Sequence, residues 1–470
     1  MDCVIDELLH LAATKQKHMK KLILFTFLII ISIASRAQWE SVATGFSTNR
    51  GIHQIVPTST DAVWATAFDA VNGIGTKCRD YCRSTDGGQT WSALKVNEAA
   101  SSANWSCLAA ADENNAWALF YKTTAAGGWI WHTTDGGATW TQQGAGEVFA
   151  GSTSFPDVIY FWDTDRGVVV GDPLNGEFEI YTTSDGGNTW AEVDGDNIPD
   201  PLSTTEYGLT RCYAAHDNNF WFGTFSGRVL KTSDYGATWT AYETGSSDVV
   251  QFITFEDDNN GWIEMADPTT FEFTSLLRTT DGGATWTDIT PSENYYASYG
   301  VTYVPKTTDV LVSSGYNYAT STFGSSYSLD GGLNWTVIDD DVVHLAVKFF
   351  NNITGWSGGV NLDAYTDGMW KYTDGFVATG VNEVAASGSK FNVYPNPGNG
   401  LFYFSFETEN SEPIHMTITD AVGRMIWDNN YKDKSQTWLR SIDLRGNSKG
   451  VYFLTLENNG QKTSQKLVIE

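Results

Sequence analysis

The octapeptide TTDGGATW occurs twice without change, at Thr133–Trp140 and at Thr279–Trp286. Four close variants accompany it: STDGGQTW ending at Trp91, TSDGGNTW ending at Trp190, TSDYGATW ending at Trp239 and SLDGGLNW ending at Trp335. A shortened seventh copy reads YTDG at Tyr372–Gly375. The aspartates, spaced 49, 50, 49, 47, 49 and 44 residues apart, are Asp86, Asp135, Asp185, Asp234, Asp281, Asp330 and Asp374. A period of this length, with several short strands per unit, predicts a β-propeller of seven blades.

Each unit carries a second landmark before its octapeptide, a turn followed by a branched or aromatic strand. In five units the turn is rich in Asn or Asp and the strand contains a tryptophan: Trp64, Trp117, Trp221, Trp262 and Trp356. These landmarks divide the period into four strands, which is the number that a propeller blade needs. The contents of Gly 45, Trp 19, Tyr 21 and Phe 25 also favour strands and turns.

The seventh copy of the octapeptide lacks its tryptophan, and the segment AQWESVATG near the start of the chain resembles the residues at the C-terminal end of the other copies. We therefore expect Trp39–Val42 to form the outer strand of the last blade. The two ends of the propeller would then share one sheet, which removes an open strand edge.

The repeated pattern S/T-x-D-x-G-x-T-W resembles the Asp-box, also called the BNR repeat. Its Asp can accept backbone N–H bonds within its own turn, while the glycines adopt the positive φ that other residues avoid. A hydrolase needs two carboxylates roughly 5 to 10 Å apart around one bond, whereas copies in successive blades point away from one another. The seven box aspartates are therefore expected to be structural and not catalytic.

The first 37 residues have the features of an export signal. Lys20 and Lys21 precede an apolar run too short to span a membrane, and small residues before Gln38 suit a signal peptidase. The true start is expected to be Met19, and no transmembrane anchor is expected. Removing residues 1–37 takes away five basic and three acidic residues, so the net charge changes from −28 to −30. Such an acidic surface argues against nucleic-acid binding.

Four cysteines follow the export signal: Cys78, Cys82, Cys107 and Cys212. In an oxidising compartment the short spacing permits a disulfide between Cys78 and Cys82. Cys107 and Cys212 are expected to be small buried hydrophobic residues. No metal site and no cofactor are expected, because the cysteines lack histidines close by.

A different composition begins after a spacer. The segments FNVYPNPGNGLF from Phe391, ITDAVGRMIW from Ile418, KGVYFL from Lys449 and the terminal KLVIE alternate apolar and polar residues as a small antiparallel β-sandwich does. Their order resembles the C-terminal sorting domain (type A) of the type IX secretion system of Bacteroidetes. That resemblance implies a partner, the secretion machinery, and a secreted or outer-membrane-surface location. The expected organisation is all-β: signal peptide 1–37, seven-bladed propeller 38–379, linker 380–390 and sorting domain 391–470.

Propellers bind ligands where their innermost strands open onto the central channel. One residue per blade is predicted there: His53, Trp105, Asp157, Arg211, Gln251, Tyr299 and His344. This mixture of polar and aromatic groups suits a sugar or a peptide, and equally a wetted channel wall.

The Asp-box is shared with enzymes. Sialidases also carry an Arg-Ile/Leu-Pro motif, which this propeller lacks, and xyloglucanase-type glycosidases use two aspartates, for which Asp157 and Asp172 are candidates. Such xyloglucanases commonly pair two propellers. Motifs for a Ser/His/Asp triad, a phosphate loop or a zinc helix are missing. The chain is most similar to seven-bladed propellers related to the photosystem II stability and assembly factor, which bind protein. We predict a non-catalytic module for an extracellular glycan or protein; the alternative is a glycoside hydrolase.

Overall fold

The structure is a computed structural model that describes residues 38–376 and, with gaps, residues 391–469. The chain divides into two compact units after Phe376. The predicted signal peptide (1–37) and linker (380–390) lie outside the described residues. The regular secondary structure of the described residues is β-strand throughout, apart from one short 3₁₀ turn at Gly195–Asn197.

The first unit consists of seven antiparallel blades of four strands each, as the repeat predicts; five are separate sheets, and the first and seventh are joined into one eight-stranded sheet where Gly51 pairs with Val360. Blades one to four comprise β2 (Arg50–Pro57), β3 (Val63–Asp69), β4 (Asp80–Ser84) and β5 (Ser92–Lys95); β6 (Ala103–Ala110), β7 (Ala116–Lys122), β8 (Gly128–Thr133) and β9 (Thr141–Gln143); β10 (Pro156–Phe161), β11 (Gly167–Leu174), β12 (Glu177–Thr183) and β13 (Ala191–Glu192); and β14 (Gly208–His216), β15 (Asn219–Thr224), β16 (Arg228–Thr232) and β17 (Thr240–Glu243). Blades five to seven comprise β18 (Val249–Phe255), β19 (Gly261–Ala266), β20 (Phe273–Thr279) and β21 (Thr287–Asp288); β22 (Ala297–Tyr303), β23 (Leu311–Asn317), β24 (Thr322–Ser328) and β25 (Thr336–Asp339); and β26 (Ala346–Asn351), β27 (Thr354–Asn361), β28 (Asp367–Tyr372) and β1 (Trp39–Ala43). The innermost strand of each blade is the one named first, and the innermost strands of successive blades touch one another around the ring, including β26 and β2.

The strand that closes the ring is β1, at the position predicted from the tryptophan that the seventh octapeptide copy lacks. β1 pairs with β28, with Trp39 opposite Tyr372, so the two ends of the propeller share the seventh blade. The Trp39 indole is 6% exposed, packs against Tyr372 with ring centroids 5.0 Å apart, and donates from Nε1 to Ser325 Oγ at 2.9 Å. Burial of this one side chain therefore ties the chain's first strand to the sixth and seventh blades.

The second-strand tryptophans join neighbouring blades. Trp117, Trp221 and Trp262 are fully buried, and each indole N–H donates to the carbonyl of the first box glycine in the next blade. The three bonds are Trp117 Nε1 to Gly186 O at 3.0 Å, Trp221 Nε1 to Gly282 O at 2.9 Å and Trp262 Nε1 to Gly331 O at 2.8 Å. The octapeptide thus stabilises its own hairpin and also accepts a hydrogen bond from the tryptophan of the previous blade.

The propeller has two unlike faces. Because consecutive strands of a blade are antiparallel, the turn from the first to the second strand and the Asp-box turn lie on one side, here called the Asp-box face. The innermost strands begin on the opposite side, here called the mouth face. Loops between the second and third strands, and loops between blades, also lie on the mouth face.

The cysteines of the propeller are all free and buried, so the Cys78–Cys82 disulfide is not formed in this structure. Burial raises the pKa of the Cys78 thiol to about 11. Cys107 and Cys212 are 0% and 2% exposed and belong to hydrophobic core clusters, as expected for small apolar residues.

The second unit has two antiparallel sheets. One has the order β29 (Phe391–Tyr394), β30 (Leu401–Glu407) and β33 (Thr437–Asp443); the other has the order β32 (Met425–Tyr431), β31 (Ile414–Asp420), β34 (Gly450–Asn458) and β35 (Gln461–Ile469). Phe402 and Ile442 from the first sheet and Ile418, Leu454 and Leu467 from the second form one buried core. This is the predicted small β-sandwich.

Candidate functional site at the channel mouth

The box aspartates are occupied within their own turns. In the second blade, Asp135 Oδ1 accepts from Thr139 N at 2.9 Å and from the Thr133 hydroxyl at 2.8 Å, and Oδ2 accepts from the Thr139 hydroxyl at 2.7 Å. The same pattern holds at Asp86, Asp185, Asp234, Asp281 and Asp330. The Thr139 bonds are the main cause that lowers the pKa of Asp135 to about 2. A carboxylate held this way has no free oxygen for acid–base chemistry. In the shortened seventh copy, which contains Asp374, Thr373 N donates instead to Gln38 O of the incoming strand at 2.9 Å.

A register irregularity interrupts the innermost strand near the mouth in each of the first six blades. In the first blade, the residue between Ile52 and Gln54 has no pairing partner on the second strand, and an equivalent residue is unpaired in four other blades. These bulged residues are His53, Ser106, Asp157, Gln251 and Tyr299. In the fourth blade the irregularity is wider and spans 209–212, which includes Arg211. Bulges turn a side chain away from the ordinary alternation of a strand and are common beside binding sites.

Five of the seven residues that the sequence predicted at the mouth lie at these irregularities: His53, Asp157, Arg211, Gln251 and Tyr299. Four of the five are half-buried, and Asp157 is buried at 1% exposed. The other two lie in the interior, and neither is a bulged residue. Trp105 is 2% exposed and donates from Nε1 to Asp80 O at 2.9 Å, and the bulged residue of its strand is its neighbour Ser106. His344 is fully buried between the rings of Trp39 and Trp370. Neither side chain is accessible to a ligand in this structure.

Arg211 supplies positive charge at the mouth. Its backbone adopts a φ of 65°, a region that non-glycine residues rarely occupy, and its Nη1 reaches the second blade to donate to Ser106 O at 3.3 Å. Within the described part of the chain Arg211 forms no ion pair. Burial, together with the charge of Arg211, lowers the pKa of His53 well below its usual value, so that imidazole is neutral near pH 7.

Asp157 and Asp172 are neighbouring carboxyl groups that meet at Gly208, at the seam between the third and fourth blades. Burial, and then the charge of Asp172, raises the pKa of Asp157 well above its usual value, so Asp157 is the member of the pair that holds a proton. Burial raises the pKa of Asp172 to about 6, and its Oδ1 accepts from Gly208 N at 3.0 Å. A Cβ at position 208 would lie 2.4 Å from Asp157 Oδ2, so the pair requires glycine there.

An aromatic strip lies beside this pair on the mouth face. The rings of Tyr207 and Phe225 stack with centroids 4.5 Å apart, and Phe271 of the fifth blade lies 6.0 Å from Phe225. Tyr207 and Phe271 are 37% and 44% exposed. These three residues were not predicted from the sequence, because they lie in loops of the mouth face that have no counterpart in the repeat.

A further buried carboxyl, Glu264, is occupied within the protein. It is fully buried, which raises its pKa to about 7, and it accepts from the Tyr295 hydroxyl at 2.8 Å and from Ser298 N at 2.6 Å. Glu264 therefore supports the bulge that contains Tyr299 and does not present a free oxygen to a ligand.

One group among the described residues has the side chains of a metal site, although none was predicted. The ligand atoms of His216, Asp217 and Asp258 lie within 4.8 Å of one another on the Asp-box face. Asp258 Oδ1 already accepts from His216 Nδ1 at 2.8 Å and from Asn219 Nδ2 at 2.8 Å. These hydrogen bonds account for the arrangement.

Comparison with known proteins agrees with both units. A family model for the secretion system C-terminal sorting domain matches residues 392–470, and a model for the BNR/Asp-box repeat matches residues 83–93. A solved structure of YCF48 bound to D1 peptide is 15% identical, with a TM-score of 0.52 over 74% of this chain and 98% of that chain. YCF48 from Cyanidioschyzon merolae is also 15% identical, with a TM-score of 0.51 over 71% of this chain and 98% of that chain.

A xyloglucanase of Paenibacillus sp is 26% identical over 299 residues, which is 53% of this chain. The match spans only 27% of that relative's length. In the described residues, no helix is long and apolar enough to cross a membrane. The sorting domain indicates export to the cell surface or beyond it. The chain thus joins an Asp-box β-propeller, which has the fold of the YCF48 structures, to a C-terminal domain of the secretion-system sorting family.

Proposed function

We propose that the propeller is a non-catalytic module that binds an extracellular glycan or protein at its mouth face. The observation that carries the proposal is the exposed strip of Tyr207, Phe225 and Phe271 beside the polar residues of the bulges. Aromatic faces next to a few directed polar groups are what sugar rings and peptide side chains bind. Arg211, which has no ion-pair partner in the described part of the chain, adds a strong donor for a ligand oxygen.

The second candidate function is a glycoside hydrolase, and the xyloglucanase match favours it. Asp172, with a pKa of about 6, is also a carboxyl of the kind that serves as a general acid. Against it stands the geometry of the pair. Glycosidase carboxyl groups are separated by about 5–5.5 Å in retaining enzymes and about 6.5–9.5 Å in inverting ones, which leaves room for the scissile bond. Asp157 is only 1% exposed and, like Asp172, packs against Gly208, so this pair does not open onto a site for a glycosidic bond.

The test is a glycan and protein array probed with the full chain and two mouth variants, Tyr207→Ala and Arg211→Ala. Leu329→Ala is the control, because Leu329 is similarly exposed, at 44%, but lies in the sixth Asp-box turn on the Asp-box face. Binding that falls by about ten-fold or more in the mouth variants, and stays unchanged in the control, supports the proposal. Equal binding by all four proteins contradicts it.

We also propose that residues 391–470 engage the type IX secretion machinery. The sorting-family match over 392–470 supports this. Deleting 391–470 is expected to stop export while the propeller still folds, which fractionation of the producing cells measures. Export of the truncated chain at the normal level would contradict the proposal.

A further inference from the structure

The fourth Asp-box differs from the other five complete ones at a single strained position. Five boxes have glycine directly after the aspartate, with φ between 72° and 75°: Gly87, Gly136, Gly186, Gly282 and Gly331. The fourth box has Tyr235 there, at a φ of 61°. A bulky residue in this left-handed region is strained, and strain of this kind is concentrated at functional sites. The other boxes serve as an internal reference, because they show that the turn itself calls for glycine.

The Tyr235 side chain forms one wall of a cavity on the Asp-box face, between the third and fourth blades. The cavity has a volume of about 460 Å³, within the range of small-molecule sites, and its lining residues are Tyr160, Trp162, Arg166, Asp217, Asn218 and Tyr235. Trp162 meets Tyr235 edge to face with centroids 5.2 Å apart, and it meets Tyr160 in the same way at 5.3 Å. The tyrosine in the fourth box thus completes a set of three aromatic walls.

Asp217 supplies a hydrogen-bond acceptor at the rim of this cavity. Its side chain is 77% exposed, and its nearest ion-pair partner is His216, at 3.9 Å. A ligand with hydroxyl groups would donate to this carboxylate. The cavity therefore offers aromatic faces together with an exposed acceptor.

Charge selects among ligand classes. The Arg166 guanidinium already lies over the Tyr235 ring, 4.3 Å from its centroid, and pairs with Asp163 at 2.7 Å. The cation that such aromatic walls attract is thus supplied by the protein itself. An anionic ligand is disfavoured by Asp217 at the rim and by the net charge of −28. A neutral ligand with several hydroxyl groups does not compete with Arg166 for the aromatic ring as a cation would, and it is not repelled by the negative charge as an anion would be.

We infer that this cavity is a second binding site, separate from the mouth, which takes a pyranose unit of a neutral polysaccharide against the surface formed by Tyr235, Trp162 and Tyr160. The site lies on the opposite face from the aromatic strip and does not depend on the function proposed for the mouth. A chain with a sugar site on each face would bind a polysaccharide at two points.

The experiment is calorimetric titration of the full chain with cellotetraose, xylotetraose and mannotetraose, with tetragalacturonate as the acidic comparison. Tyr235→Gly restores the sequence of the other boxes, so it is expected to unfold at the same temperature as the wild type or higher. It is also expected to weaken binding of a neutral oligosaccharide by about ten-fold or more. Asp217→Ala removes the acceptor at the rim, and it is expected to weaken binding by about three-fold or more.

Leu329→Ala, an exposed residue of the sixth Asp-box turn, is the matched control and is expected to leave this binding unchanged, while Tyr207→Ala reports binding at the mouth. The inference is overturned if the wild type binds none of the three neutral oligosaccharides, or if it binds only tetragalacturonate. It is also overturned if Tyr235→Gly binds as tightly as the wild type. Binding lost in Tyr207→Ala but kept in Tyr235→Gly places the sugar at the mouth, which supports the proposed function and refutes the second site.

Discussion

Replacing Trp39 with alanine is expected to open the ring at the strand that closes it. The side chain is 6% exposed, and truncating a buried tryptophan costs about 3–5 kcal/mol through lost burial and the cavity left behind. The indole bond to Ser325 adds about 1 kcal/mol at most, because Ser325 Oγ keeps its bond to Asp339 at 2.6 Å. We therefore expect the free energy of unfolding to fall by about 4 kcal/mol.

The assay is urea unfolding followed by far-UV circular dichroism, with the slope of the transition compared between variants. Glu40→Ala is the control, because the next residue of the same strand is exposed and its loss is expected to change stability by about 0.5 kcal/mol or less. A loss below about 1 kcal/mol in Trp39→Ala would refute the reasoning. It would mean that the first strand contributes little to holding the seventh blade.

Three further predictions concern the acid pair, the box glycines and the mouth. Because burial raises the pKa of Asp172 to about 6, its ionisation opposes folding, and stability should fall as the pH rises from about 4 to 6. Buried Asp157, whose pKa is also raised, contributes to the same fall. Asp172→Asn should therefore reduce this fall and raise stability at pH 7 by about 1–2 kcal/mol, as pH-dependent urea titration measures. Gly88→Ala should destabilise the propeller by about 1–3 kcal/mol more than the control Gly245→Ala, as thermal unfolding measures. Both glycines have a positive φ, but only a Cβ at position 88 would clash, 2.1 Å from Trp356 Nε1. Arg211→Gln should make His53 easier to protonate, which an upward shift in its NMR titration midpoint would show, because the neighbouring positive charge is lost.

The repeat made most of the propeller predictable. A fixed period and an invariant turn show where each blade begins and ends, and the absence of one tryptophan located the closing strand at Trp39. Such features are local in sequence, because the box turn is stabilised by bonds between residues two to four positions apart.

The mouth was less predictable, because its geometry depends on register between strands. The second-blade bulge falls at Ser106 and not at Trp105, and no alternation of apolar and polar residues marks that difference. Asp157 and Asp172 were both candidates in the sequence, but their contact depends on the pairing of β10 with β11, where Pro156 lies opposite Gly171. Tyr235 is readable in the sequence only as a variant letter of the fourth box, and its cavity exists only once the third and fourth blades pack together.

The central claim is that the mouth face binds its ligand without cleaving it. The most direct measurement is the mass of a polysaccharide or protein fragment, selected on the array, after retention by the immobilised full chain at pH 5 and pH 7 and subsequent elution. We expect the ligand to be retained and eluted at its original mass, with retention lost in Tyr207→Ala. Shortened products that disappear in Asp157→Asn or Asp172→Asn would contradict the claim and establish a hydrolase.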